Sequence, residues 1–433
     1  VASLRKLIST LDSLEDDLAI CMRCGMCQSV CPLYRETRLE TDVARGKLTI
    51  LDGLRRELLD NPDGVARRLR RCLLCGSCQA RCPSGVKSVE IFLKARIIIS
   101  EYNGLSPIKR LILRKILAIP RRFHRILNIF ARCQKFFLTE TDPVTETSRA
   151  RIFLPLIGKR HIKPLATIPF RERVPSIYQP PRTDAPMVAV FVGCLIDRVF
   201  PSVAESMLTV LNSIGTGIYM PLEQGCCGMP VLASGDGVAF QSLLRQNIDV
   251  FSRKRFDLLI TACATCTAVI KEIWPVMAAV ECPDLLKKVC DVSEKTMDIT
   301  EFLVKYGHLD KTSETAYSER LKVTYHDPCH LRKTLGIWKE PRKILNLLDT
   351  YEFVEMPDAD GCCGLGGSFG LEYDNLSERI GLRKVRNIVA SGADVVATAC
   401  PACMIQLADM LSRTGNSKLV KHVVELYAGE LQC

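Results

Sequence analysis

Apolar positions along the chain fall into two regimes. Near the amino terminus, Leu4–Leu18, Val43–Leu59 and Val86–Tyr102 read as helices, with Gly104 a stop after the third. From residue 187 onward, short runs rich in β-branched residues alternate with longer amphipathic stretches. The runs are Met187–Val192, Leu258–Thr261, Leu321–Tyr325 and Val395–Thr398, and the stretches include Ser202–Ile214 and Leu376–Ala390. Buried strands followed by helices predict α/β units with a mainly parallel sheet. In such units functional groups sit on loops beyond the carboxyl ends of the strands. Each of these runs leads into a cysteine.

Between the regimes, residues 137–186 carry eight prolines and few long apolar runs, which predicts an extended linker along a surface. Residues 187–433 repeat internally. Val188–Cys194 parallels Val323–Cys329, Gly225-Cys-Cys-Gly228 parallels Gly361-Cys-Cys-Gly364, and Asp257–Cys266 parallels Asp394–Cys403, at offsets of 135, 136 and 137 residues. Three landmarks at nearly one offset indicate two homologous domains. The expected division is 1–105 helical, 106–136 a basic segment, 137–186 linker, and 187–310 and 311–433 the two repeats.

Composition narrows the chemistry. With 47% apolar and 25% charged residues, the 433-residue chain can bury a core and is not disordered. No run reaches the ~18 uncharged apolar residues a membrane-spanning helix needs. The opening Val1–Lys6 lacks the apolar stretch of a secretory leader, so a reducing cytoplasm is expected, where 22 cysteines mean metal or redox chemistry rather than disulfides. Of the net charge of +11, nine cations and no acid fall between Lys109 and Lys135. One basic block interleaved with Leu, Ile and Phe suggests a membrane surface or a partner rather than nucleic acid. Within it Phe123, Ile126, Leu127 and Phe130 share one helical face, opposite His124, Arg125, Arg132 and Lys135, which predicts peripheral membrane contact.

The first cysteine set is Cys21-x2-Cys24-x2-Cys27-x3-Cys31-Pro32, repeated as Cys72-x2-Cys75-x2-Cys78-x3-Cys82-Pro83. This is the run of bacterial two-cluster ferredoxins. Three thiols on one tight loop cap three corners of a [4Fe-4S] cube, and the fourth ligates the other cube. Cluster one is therefore expected on Cys21, Cys24, Cys27 and Cys82, and cluster two on Cys31, Cys72, Cys75 and Cys78. Zinc favours two paired CxxC units, which this order does not match.

The second set occurs once per repeat. It comprises Cys194, Cys226, Cys227, Cys263 and Cys266, then Cys329, Cys362, Cys363, Cys400 and Cys403. Five thiols exceed what one mononuclear ion needs, and an adjacent pair suits two irons of a larger cluster. The glycine after each pair is expected to let backbone approach the metal.

This Cys-Cys-Gly pattern resembles the cysteine-rich domain of heterodisulfide reductases and of the glycolate oxidase iron–sulfur subunit. Cys27-x3-Cys-Pro-x-Tyr34, Asp42-Val-Ala-Arg-Gly46, Arg71-Cys-Leu-x-Cys and Cys82-Pro-Ser-Gly-Val86 resemble the glycolate oxidase subunit further. The resemblance implies a multidomain α+β chain. A mainly α-helical two-[4Fe-4S] ferredoxin-like domain precedes two homologous α/β parallel-sheet cysteine-rich domains. It also implies one or two noncubane [4Fe-4S] clusters on the five-cysteine motifs, with zinc at one site in some relatives. In the glycolate oxidase type, a flavoprotein partner carries FAD and oxidises glycolate or lactate. This subunit then passes electrons toward a quinone, cytochrome or other acceptor, at the inner face of the cytoplasmic membrane. In the heterodisulfide reductase type, a membrane cytochrome b supplies electrons and the two noncubane clusters reduce a disulfide. His326 or His330 is then a candidate proton donor or a hydrogen-bonding neighbour of the cluster. Asp327 and Arg332 are weaker candidates for such roles. Cys133, Cys282, Cys290 and Cys433 fit no ligand spacing, and no nicotinamide, phosphate-loop or nucleic-acid signature stands out.

Overall fold

The computed structural model of the chain describes residues 4–151, 158–182, 184–307 and 320–431. Helices Leu4–Leu11, Ala44–Arg55 and Ser88–Asn103 bury Leu7, Leu11, Leu48, Leu51, Leu54, Ile91 and Leu93 in a common core. A 3-10 turn at Asp12–Leu14 interrupts the first predicted helix. Gly104 ends the third, its N–H donating to the Ser100 carbonyl.

Among the described residues nine strands follow: β1 (Ile177–Gln179), β2 (Met187–Val190), β3 (Gly217–Met220), β4 (Leu258–Thr261), β5 (Thr296–Asp298), β6 (Leu321–His326), β7 (Tyr351–Phe353), β8 (Val395–Thr398) and β9 (Leu419–His422). They form two sheets, ordered β1-β3-β2-β4-β5 and β7-β6-β8-β9. All pairings are parallel except β1 on β3, where Ile177 lies opposite Met220. With β1 set aside, the orders coincide when β2 is matched to β6, β3 to β7, β4 to β8 and β5 to β9. Val188, Ala189 and Val190 of β2 are all fully buried, as a central parallel strand covered on both faces requires.

The segment 137–186 is more tightly held than a linker. Its Arg160 is buried against Asp409, Gln406, Ser377 and the Gly370 carbonyl of the second repeat. Farther on, Arg171 pairs with Asp197 of the first repeat at 2.9 Å, and β1 joins the first sheet. The prolines keep the backbone extended, and these polar anchors fix its path.

The basic segment folds as Pro107–Leu111, a π-helical turn at Ile112–Leu117, and Pro120–Phe137. The last helix turns His124, Asn128, Ala131 and Gln134 toward the protein. There His124 lies 3.7 Å from Asp197, and Gln134 donates to the Leu165 carbonyl. Phe130 is 58% exposed, while Phe123, Ile126 and Leu127 are half-buried. Polar side chains with buried partners thus share the inner face with the half-buried Phe123, Ile126 and Leu127. Burial, with Arg171 and Arg198 nearby, pushes His124 down to about 2, so its ring is neutral. Among the described residues no helix is long and apolar enough to cross a membrane.

The three lobes meet at the carboxyl ends of the strands. The Ala264 N–H donates to the Ala399 carbonyl across the two repeats. Arg96 of the helical lobe donates to the Ala233 carbonyl, and His330 of the second repeat reaches the Leu74 carbonyl of the helical lobe.

Candidate metal centres

The two ferredoxin-type loops each turn at a left-handed glycine, Gly25 (φ +85°) and Gly76 (φ +71°). Pro32 opens a helix at its first position, with the Cys31 thiol capping it by accepting from the Tyr34 N–H. The loops enclose two small cavities of about 30 Å³ each. Cys21, Cys24, Cys27 and Cys82 line one and Cys31, Cys72, Cys75 and Cys78 line the other, with Cys78 also touching the first. Backbone N–H groups of Leu74 and Val86 point at the Cys72 and Cys82 sulfurs, each at 3.4 Å. Burial pushes the Cys31 thiol up to about 12, so holding it as a thiolate requires a cation or metal nearby.

Two buried cations sit beside the second cavity. Lys47 is fully buried and bonds the carbonyls of Thr41 and Asp42, while Arg96 donates to the carbonyls of Leu69, Cys72 and Ala233. Neither was singled out from the sequence, although each is a charge inside an apolar helical stretch. The family-like motif residues also acquire reasons. Buried Asp42 pairs with Arg71 at 2.9 Å, tying the two cysteine runs together. A Cβ on Gly46 would lie 2.1 Å from the Glu40 carbonyl oxygen.

All ten cysteines of the repeats line one cavity of about 230 Å³. The remaining wall is almost wholly apolar, with Leu73, Val192, Met229 and Leu365 among it. In each repeat one thiol follows β2 or β6, two follow β3 or β7, and two follow β4 or β8. The two sets meet: Thr265 Oγ1, between Cys263 and Cys266, lies 3.5 Å from Cys400 Sγ. The helical lobe reaches the second set through Cys75, which lines both its own small cavity and this one, where Cys329 also lies. The nearby Cys329, with burial, pushes Cys75 well above the ordinary thiol range. Cys227 and Cys363 are held well below that range, by Cys226 and Cys266 and by Cys362 and Cys403 respectively.

The backbone around the adjacent pairs is fixed from outside. The Trp274 indole donates to the Cys227 carbonyl at 2.8 Å, and the Asn247 amide to that of Cys226 at 3.0 Å. The glycine after each pair also answers to packing. Gly228 (φ +98°) and Gly364 (φ +100°) adopt left-handed backbone. A Cβ on them would meet the Phe240 ring at 2.8 Å and the Ser377 carbonyl at 2.7 Å, so helix packing requires the glycine.

His330 has both ring nitrogens engaged. Nε2 donates to the Leu74 carbonyl at 3.1 Å, and Nδ1 faces Thr265 Oγ1 at 3.0 Å, so the ring joins all three lobes. Asp327 is buried between Arg332 and Arg342. His326 is fully buried at the end of β6, close to Cys363 and Cys403. Cys133, Cys282 and Cys290 line none of these three cavities, and Cys433 lies outside the described residues.

The donor set suits iron–sulfur groups. The three cavities are walled by thiols, backbone N–H groups point at sulfur, and among the described residues no carboxylate lines any of them except Asp42 at the second. The model of a 4Fe-4S dicluster domain matches residues 17–86, and that of a cysteine-rich domain with the CCG motif matches 188–271 and 323–408. The chain belongs to the family of iron–sulfur proteins that join a 4Fe-4S dicluster domain to two cysteine-rich CCG domains. It is 29% identical over 423 residues to the probable glycolate oxidase iron–sulfur subunit of Bacillus subtilis, covering 94% of this chain and 92% of that one. A subunit of the CoM/CoB fumarate reductase of Methanothermobacter marburgensis is 28% identical, covering 94% of this chain and 71% of that one. Lactate utilization protein A of an Exiguobacterium strain is 28% identical, covering 56% of this chain and 96% of that one. The protein is thus an iron–sulfur oxidoreductase subunit with an electron-transfer role, related to glycolate oxidase and lactate utilization proteins.

Proposed function

We propose that the chain is the iron–sulfur electron-transfer subunit of a flavin-dependent 2-hydroxyacid dehydrogenase acting on glycolate or lactate. FAD is carried by a partner subunit. Cys21, Cys24, Cys27 and Cys82 hold one cubane [4Fe-4S] cluster, and Cys31, Cys72, Cys75 and Cys78 the other. The two five-cysteine sets each hold a noncubane cluster. Bound clusters supply one-electron storage and transfer.

The place of Cys75 carries this reading. It lines both the second small cavity and the ten-cysteine cavity, where Cys329 also lies, and Cys78 borders both small cavities. The chain thereby holds its four sites in an unbroken series. Lys47 and Arg96 offset the negative charge that thiolate-bound iron brings into a buried place. The names of the relatives in B. subtilis and Exiguobacterium support glycolate or lactate as the electron source.

The acceptor is a quinone, cytochrome or similar carrier at the cytoplasmic face of a membrane. Exposed Ile108, Leu111, Ile129, Phe130, Phe136 and Phe137 lie among exposed Arg121, Arg122, Arg125, Arg132 and Lys135, a pattern suited to anionic lipid.

A second reading, a disulfide reductase fed by a membrane cytochrome b, is favoured by the two five-cysteine sets facing one apolar cavity. One experiment separates them. The natively purified complex is examined by visible absorption, and its denatured supernatant is assayed for flavin. Released flavin together with bleaching by lactate or glycolate supports the dehydrogenase. Haem b without flavin, and reoxidation of the reduced complex by a disulfide, overturns it in favour of the reductase.

A further inference from the structure

The two five-cysteine sites have the same thiols at matching places, but their surroundings differ. At the repeat offset of 135 residues, Phe191 of the first repeat corresponds to His326 of the second. The Phe191 ring packs against Phe251 and Trp274. A Cβ on Gly193 would lie 3.2 Å from Cys266 Sγ and 3.6 Å from the Phe191 ring, so this phenyl and a thiol of the first site both lie against Gly193. In the second repeat the same place holds an imidazole. His326 is fully buried, neither ring nitrogen has a hydrogen-bond partner among the described residues, and a ring nitrogen lies within 4.8 Å of the Cys363 and Cys403 sulfurs.

A buried polar group without a partner is costly, and such groups in native proteins mark a missing ligand or a functional role. A neutral imidazole always carries one N–H. His326 has no backbone carbonyl or carboxylate in hydrogen-bonding reach among the described residues, whereas sulfur is close by. His330 has no such freedom, because both its nitrogens are engaged. Asymmetry recurs on the flanking helices, where Asn247 of the first repeat corresponds to buried Lys384 of the second at an offset of 137 residues. Hydrogen bonds and positive charge directed at ligand sulfurs stabilise the more negative, reduced state of an iron–sulfur group.

We propose that His326 donates a hydrogen bond to a ligand sulfur of the second site, Cys363 or Cys403, and that this makes the second site more easily reduced than the first. His326 is a positioning residue that acts through those sulfurs. The inference rests on the reading that both five-cysteine sites hold iron–sulfur clusters. It also gives the juncture at Cys75 a direction, since the site next to the ferredoxin-type lobe becomes the one of higher potential.

The test uses the full chain, purified anaerobically, with iron and zinc counted and midpoint potentials followed by paramagnetic resonance. Replacing Cys263 or Cys400 by serine assigns each signal to its site. One hydrogen bond to a charged sulfur is worth about tenfold in the reduction equilibrium, or ~59 mV for a one-electron couple. His326→Phe should lower the second site's midpoint by that amount with iron content unchanged. His326→Gln, which keeps a donor, should restore most of it, and Phe191→His should raise the first site's midpoint. If His326→Phe fails to fold, the Phe191→His and His326→Gln proteins carry the test. Unchanged midpoints in fully loaded variants overturn the inference and leave the functional reading intact. Loss of one zinc in His326→Phe would make His326 a zinc ligand and overturn the inference. Wild-type protein with no iron beyond that of the two cubanes overturns the reading on which it rests.

Discussion

Replacing Arg96 by methionine probes how the ferredoxin-type lobe is joined to the rest. Arg96 is 6% exposed, and among the described residues no carboxylate lies within ion-pair distance of it. Its guanidinium donates to the carbonyls of Leu69 at 2.5 Å, Cys72 at 2.8 Å and Ala233 at 2.7 Å. Methionine keeps the apolar stem and leaves the Cys72 and Ala233 carbonyls without this donor, at about 1–3 kcal/mol each, while the Leu69 carbonyl keeps the Cys72 N–H. Relief of the buried cation's desolvation offsets part of this. The expected net loss is about 3 kcal/mol, read as a lower denaturant midpoint for the iron-loaded protein followed by its visible absorption and far-ultraviolet dichroism. The same change removes a positive charge next to Cys72, so the second cubane should become harder to reduce in a mediated titration. A variant that unfolds within about 1 kcal/mol of the parent and keeps the parent potential would refute both arguments. Arg96 would then only fill space.

Three further outcomes follow from the same geometry. Cys31→Ser should abolish the cluster of the second ferredoxin-type loop and spare that of the first, because Cys31 lines the cavity of Cys72 and Cys75; resonance spectra of the reduced variant decide this. Gly364→Ala should cost at least ~2 kcal/mol in thermal unfolding, because left-handed strain is joined by the Ser377 carbonyl, whereas Gly392→Ala at φ +68° in open space should cost only ~1 kcal/mol. Burial raises Asp409 from its usual 3.8 to about 6, so its charge costs the fold stability as pH rises through 6; Arg160→Met, which removes its counter-ion, should therefore destabilise more near pH 8 than near pH 5, by roughly 2 kcal/mol in paired melts.

What the sequence determined by itself was local. Cysteine spacing within a loop specifies which thiols can cap one cube. The match of Val188–Cys194 to Val323–Cys329 announced two domains of one design, and the runs that proved to be β2, β4, β6 and β8 were legible because a central parallel strand is apolar on both faces. The strands β3, β5, β7 and β9 were not, since Gly217-Ile-Tyr-Met, Thr296-Met-Asp, Tyr351-Glu-Phe and Leu419-Val-Lys-His break the apolar run with glycine, charge or an imidazole. Only the tertiary structure brought ten thiols to one cavity, placed Cys75 on its wall with Cys329, and left His326, beside Cys363, without a partner among the described residues while His330 was fully bonded. It also turned the basic helix so that His124 and Asn128 face inward and Phe130 outward. Periodicity ranks faces by how apolar they are. Which face is buried depends on the partners packing brings, and a buried Asp197 or a free backbone carbonyl can outweigh a phenylalanine.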